Sequence, residues 1–242
     1  MSEWTNEKAI AQWGTMPVSA LAATTEDGDF AKRHLINPVV LEMLGDVRGR
    51  RVLDAGCGNG YLSRMLADRG ALVTGVEPGQ SLFSFAASRE ASSPRGIRYV
   101  QTDICKISDL GDFDSVVASM VLPVIPAWTD AMRACVSVLR PGGLFVFTVN
   151  HPCFEGLWPT WRANGGAYRI ERYLERYEIP GPRGTDFHRT IGDYLNALAG
   201  LGCRLISIAE PGLDPALVTD GPEGIDAYVR LPNFLIVAAS TT

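Results

Sequence analysis

The 242-residue chain is 46% hydrophobic and 20% charged, a balance that suits one α/β domain of ordinary size. Its net charge of −5 comes without any Lys/Arg-rich block, which excludes nucleic acid or an anionic membrane as the main partner. Five scattered cysteines (Cys57, Cys105, Cys135, Cys153, Cys203) lack metal-ligand spacing, so reduced thiols and no metal centre are expected. The first residues carry no basic start or apolar core, and no apolar run approaches the roughly 20 residues of a membrane helix. A cytoplasmic protein with no membrane partner is the expectation.

Residues 1–49 precede the first strand and are too long for a tail, so they read as a helical cap. Trp4, Ile10 and Trp13 mark a short helix broken at Gly14 and Pro17, and residues 24–29 a polar turn. Ile36, Val39, Val40, Met43 and Leu44 then recur at helical spacing up to Gly45. Such a cap can pack on the edge of a sheet, close over a site, or do both.

Val52-Leu53-Asp54-Ala55-Gly56-Cys57-Gly58-Asn59-Gly60-Tyr61 is the stretch that organises the rest. An apolar strand, a glycine turn and a helix start follow one another. Glycines reach positive φ and let a ligand lie against the backbone, and unpaired N–H groups at a helix start favour an anionic group. The spacing is G-x-G-x-G, with Tyr61 standing where a dinucleotide fingerprint has its third glycine. The acid of such fingerprints, about 20 residues on, is present as Glu77, placed to accept hydrogen bonds from a ribose diol.

Strands and helices then alternate. Strands are expected at 71–77, 97–102, 113–119 and 144–149, and helices at 81–89 and 130–139. Continuous apolar runs such as Phe145-Val146-Phe147 suit strands buried on both faces of a parallel sheet. The alternation stops at Asn150. Residues 150–189 hold two Trp, three Tyr, two Phe and four Pro with no clear period, which reads as an ordered lid insertion. Residues 190–242 resume with a helix at 190–201, a strand at 204–208, a long connection at 210–232 and a last strand at 234–238. No linker or repeat divides the chain, so one domain is expected, with a ligand-binding core at 50–149.

These residues resemble the class I S-adenosylmethionine-dependent methyltransferases. The resemblance rests on the motif from Val52 to Gly60, on Val76-Glu77-Pro78, on Asp103 after the third strand, on Ser119-Met120-Val121-Leu122 after the fourth, and on Leu139-Arg140-Pro141-Gly142-Gly143. It implies a Rossmann-like fold with a seven-stranded, mostly parallel sheet, helices on both faces and an antiparallel last strand. It also implies S-adenosylmethionine as cofactor, with S-adenosylhomocysteine as product and no metal. The cofactor-binding residues would be Asp54, Gly56, Cys57, Gly58, Gly60, Glu77, Pro78, Asp103, Ile104, Ser119 and Met120. Within this set Asp54 is expected to pin the glycine loop by accepting backbone N–H bonds, and Cys57 to fill space. Asp103 would contact the adenine ring.

His151, one residue past the fifth strand, is the candidate catalytic base or substrate ligand, or else holds its loop by a hydrogen bond to backbone. Trp13, His151, His188 and Tyr194 are the expected substrate-binding residues. His34, beside Arg33, reads as a surface group or a contact for the cofactor carboxylate. Thr190 and Asp193 have the spacing of a capping box. Trp158, Trp161, Tyr168, Tyr173 and Tyr177 together suggest an apolar or aromatic pocket. The expected activity is in-line methyl transfer to O, N or C of a small molecule, a secondary metabolite. No Asp-Pro-Pro-Tyr-like or Asn-Pro-Pro-Tyr-like tetrapeptide follows the fourth strand, which weakens methylation of nucleic acid bases or glutamine. A nicotinamide-dependent oxidoreductase and a non-catalytic binding module are the rival readings, and a homo-oligomer is left open.

Overall fold

The computed structural model describes residues 4–17, 19, 26–181 and 184–242, the side chains of Trp158 and Arg162 excepted. Part of the expected polar turn at 24–29 and the side chain of Trp158 therefore lie outside the described residues. Seven strands form one sheet: β1 (Arg51–Ala55), β2 (Leu72–Val76), β3 (Arg98–Val100), β4 (Phe113–Ser119), β5 (Leu139–Asn150), β8 (Arg204–Ala209) and β9 (Phe234–Ser240). Their order is β3-β2-β1-β4-β5-β9-β8, and β9 runs antiparallel to both neighbours. The order reverses direction between β1 and β4. A crevice at the carboxyl ends of the strands opens at such a switch point.

Helices cover both faces because successive residues of a strand point to opposite sides. Val116, Ala118, Phe145 and Phe147 pack on one side with α5 (Trp128–Ser137) and α7 (Ile191–Gly200). Val117 and Val146 pack on the other with α2 (Asn37–Leu44) and α3 (Tyr61–Ala67). Thr190 caps α7 by accepting the Asp193 N–H while Asp193 accepts the Thr190 N–H. This is the capping box read from the sequence.

Three details differ from the sequence expectations. The strand expected at 144–149 begins already at Leu139, and residues 140–143 form a bulge inside β5, since Phe113 pairs with Leu139 but Ser115 already pairs with Leu144. The insertion has secondary structure of its own: helix α6 (Leu157–Ala163) and a hairpin of β6 (Glu178–Pro180) with β7 (Thr185–Phe187). The connection before β9 contains a short helix, α8 (Ala227–Arg230). At the other end of the chain, α1 (Asn6–Trp13) joins the core to the insertion. Asn6 donates to Asp103 and accepts from the Ala127 N–H. Gln12 accepts from the Thr185 N–H, and the Trp4 indole donates to Glu178.

Candidate active site

The glycine loop takes its shape from three residues at positive φ, Gly56, Gly58 and Gly60. Both the Gly56 and Cys57 N–H groups donate to the Val76 carbonyl, and the Gly60 N–H closes the turn onto Cys57. A Cβ at Gly56 would stand 2.4 Å from Val121 Cγ2, so the loop and the segment after β4 touch only because this side chain is absent. A Cβ at Gly58 would meet nothing within 4 Å, leaving backbone open on the cavity side. Gly56→Ala is therefore expected to weaken binding of S-adenosylhomocysteine at least tenfold, about 1.4 kcal/mol, in calorimetry. Unchanged affinity would show that the loop tolerates another path.

A cavity of about 380 Å³ lies over this loop at the carboxyl edge of the sheet. Gly56, Cys57 and Gly58 line it, as do Glu77 and Pro78 at the end of β2, Asp103 and Ile104 after β3, and Ser119 and Met120 after β4. From the N-terminal segment come Trp13, whose indole N–H is buried without a partner among the described residues, and Lys32. The walls are mostly apolar, with Ile10, Met16 and Ile36 facing Val121, Val124 and Phe234.

Glu77 is buried at 6% exposure. Its Oε2 accepts the Gly58 N–H at 3.0 Å and its Oε1 accepts the Gly79 N–H at 2.7 Å. Burial pushes its carboxyl up to about 7 against the lowering effect of these two bonds. Each oxygen of a carboxylate keeps a second lone pair, so Glu77 can hold the loop and still accept a diol. Asp103 caps the turn at 104–106 by accepting the Cys105 N–H at 3.0 Å. Met120 sits at φ 57, a costly value for a residue with a side chain, and its N–H donates to both the carbonyl and the hydroxyl of Thr148.

Several expectations are corrected by this geometry. Asp54 does not pin the glycine loop. It is buried inside β1, accepts the Ser63 hydroxyl at 2.6 Å and so holds the start of α3; burial raises its carboxyl to about 6. Gly60 faces Tyr99, where a Cβ would stand 2.3 Å from the phenol oxygen, and does not line the cavity.

His151 does not reach the cavity either. Its Nδ1 accepts the Cys153 N–H, which leaves the proton on Nε2, and Nε2 donates to Glu210 at 2.6 Å. Both nitrogens are committed to holding the loop, so the candidate base role has no geometry behind it. His188 is buried, donates from Nε2 to the Tyr173 carbonyl, bonds Glu155 through Nδ1 and stacks on Tyr177. It knits the insertion together away from the cavity. Tyr194 packs between Trp128 and Phe147 in the core. The His34 ring lies tilted against Phe30 and Arg33 pairs with Asp27; among the described residues Lys32 is the cation on the cavity wall.

Lys32 begins a π-helical turn spanning Lys32–Ile36, a form found often at functional sites. Its ammonium pairs with Asp29 at 3.3 Å and lies over the Tyr61 ring. Tyr61, in the place of a third glycine, donates its hydroxyl to Asn37 and so ties α3 to the N-terminal segment. Asn6, Asp29, Lys32, Asn59 and Asp186 are polar wall residues that sequence reasoning missed. Asn59 lies inside the glycine motif; the other four belong to no motif, and the π-helical turn leaves no periodic trace.

Known proteins match this arrangement. Residues 53–147 fit the family described as methyltransferase domain. The ubiquinone biosynthesis O-methyltransferase of Marinobacter nauticus is 35% identical over 155 residues, which are 60% of this chain and 65% of that protein. The chain spans less than two thirds of the length of the first curated relatives it matches. An S-adenosylmethionine dependent methyltransferase from Mesorhizobium loti superposes with a TM-score of 0.73 at 29% identity, over 89% of this chain and all of that one. The magnesium protoporphyrin IX methyltransferase of Synechocystis PCC 6803, solved with bound S-adenosylhomocysteine, shares the fold at 18% identity, with a TM-score of 0.62 over 98% of this chain and 95% of that one. The glycine loop, the acid after β2 and the strand order thus stand on the framework of the class I S-adenosylmethionine-dependent methyltransferases, whose domain this chain matches over residues 53–147.

Proposed function

We propose that this chain transfers the methyl group of S-adenosylmethionine to the oxygen of a small, mostly apolar acceptor. The observation that carries this reading is a single cavity that joins the glycine loop and Glu77 to an apolar region at the ends of β4 and β9. Two features of the loop suit the cofactor: open backbone at Gly58 and a buried acid with lone pairs to spare at Glu77. Glu77 would hold the ribose diol, with Asp103 and Ile104 beside the adenine. When bound, the cofactor supplies a methyl group on positively charged sulfur, already activated for attack. The chain's own task is then to align an acceptor and exclude water. Trp13 from α1 and Asp186 from the insertion would close the cavity from two sides as lids.

The relatives' name, ubiquinone biosynthesis O-methyltransferase, favours an oxygen acceptor on a hydroxylated ring. It also favours primary metabolism over the secondary metabolite expected from sequence. The net charge of −5 and the apolar walls support a neutral small molecule as partner. Incubation with S-adenosylmethionine and a panel of phenols should release S-adenosylhomocysteine in step with a methyl ether. Binding of the cofactor without turnover of any phenol would favour the non-catalytic module instead.

A further inference from the structure

Four carboxylates line the cavity among the described residues: Asp29, Glu77, Asp103 and Asp186. Three of them are committed within the protein. Asp29 accepts the Lys32 N–H and pairs with its ammonium, Glu77 holds two glycine N–H groups, and Asp103 caps its turn and accepts from Asn6. Asp186 differs. Its Oδ2 accepts the Asn150 side-chain N–H at 2.8 Å, and no partner for Oδ1 is found among the described residues.

Its place in the fold is specific. Asn150 ends β5 and pairs with Phe234 of β9, another cavity residue. Glu77 and Asp103 end β2 and follow β3, on the other side of β1 and β4 in the sheet. Asp186 therefore lies at the end of the cavity away from the cofactor acids. Resting on the methyl-transfer reading above, we infer that Asp186 is the catalytic residue on the acceptor side, and that its Oδ1 binds and accepts the hydroxyl proton of a neutral, phenol-like molecule.

The step balances as follows. The acceptor oxygen forms its bond to the methyl carbon, the carbon–sulfur electron pair returns to sulfur, and the hydroxyl proton moves to Oδ1 of Asp186, from which water removes it. Burial holds the Asp186 carboxyl above the ordinary range, which makes it a better base than an exposed aspartate. Arg189 works against this shift, and Glu155 and Tyr194 are the other ionisable groups coupled to it.

The test is calorimetry on the chain saturated with S-adenosylhomocysteine, using phenol, anisole and benzylamine as probes. Phenol should bind wild type at least about tenfold more tightly than anisole, the size of one hydrogen bond to a charged group. Asp186→Leu should erase that preference while its affinity for S-adenosylhomocysteine stays at the wild-type value. Asp186→Asn, which keeps size and shape, should remove the acidic limb from the pH–rate profile of a phenol that wild type methylates. Tighter binding of benzylamine than of phenol, no binding of phenol, a preference that survives Asp186→Leu, or an acidic limb that survives Asp186→Asn would each overturn the assignment. Loss of S-adenosylhomocysteine binding by wild type itself would instead sink the methyl-transfer reading beneath it.

Discussion

Arg189→Met should lower the stability of this chain by about 3–5 kcal/mol, because three buried carbonyls lose their donor together. Arg189 is 4% exposed. Its Nη1 donates to Leu122 at 2.8 Å and Pro123 at 3.3 Å, and its Nη2 donates to Ile125 at 2.6 Å. The guanidinium also lies over Trp128 and Phe187. These bonds give shape to the segment after β4, where Val121, Pro123, Val124 and Ile125 form one wall of the cavity. Exchanging a buried ion pair for apolar groups is often harmless, but here only one side of each interaction is removed. The urea midpoint should fall by about 1–2 M for a slope of about 2.5–3 kcal/mol/M, the upper end of the usual range, as suits a chain of this size. Arg189→Lys should not restore it, since one ammonium cannot fork across three carbonyls. An unchanged midpoint in the methionine variant would show that water or a shifted backbone satisfies them.

Glu77→Ala should weaken S-adenosylhomocysteine at least tenfold, through loss of charge-assisted bonds worth roughly 1.5–3 kcal/mol each. A folded variant with wild-type affinity would remove Glu77 from the site. The pH dependence gives a second readout with a definite sign. In the free protein Glu77 is pushed up to about 7, well above the ordinary glutamate value near 4.3. Hydroxyl groups that donate to its carboxylate favour the ionised form and lower that pKa in the complex. Binding near pH 6.5 should therefore release a proton, seen as a dependence of the binding heat on the buffer's ionisation heat. Glu77→Gln should abolish the release.

The same shift affects the free protein. Between the unfolded and folded values the native state holds more protons than the unfolded chain, so stability should fall as pH rises from about 4.5 to 7. Asp54, raised to about 6, adds to this slope in the same direction. Glu77→Gln should flatten it.

How much of this was legible in the sequence depended on how local each signal is. The strands at 71–77 and 113–119 were read nearly to their observed ends, because buried parallel strands are continuous apolar runs bounded by Gly, Pro or Asp. Along the cavity wall, Gly56, Cys57, Gly58, Glu77, Pro78, Asp103, Ile104, Ser119 and Met120 stand where strand ends were expected to bring them. Each lies within a few residues of a strand end, so the order of elements alone brings them to one edge. His151 was misplaced by the same logic. A position one residue past β5 says nothing about which way a ring turns, and here the Cys153 N–H and Glu210 hold it off the cavity wall.

The sequence by itself determined the strand-and-helix alternation, the glycine loop and the acids that follow β2 and β3, because these depend on composition and spacing over tens of residues. Tertiary structure alone decided the opposite half of the site. Lys32 reaches the cavity through a π-helical turn, and Asp186 through a hairpin inside an insertion with no period. Arg189 binds carbonyls more than 60 residues away in the chain. Such contacts are selected by the packing of α1 and the insertion against the sheet edge, and short-range spacing carries no record of them.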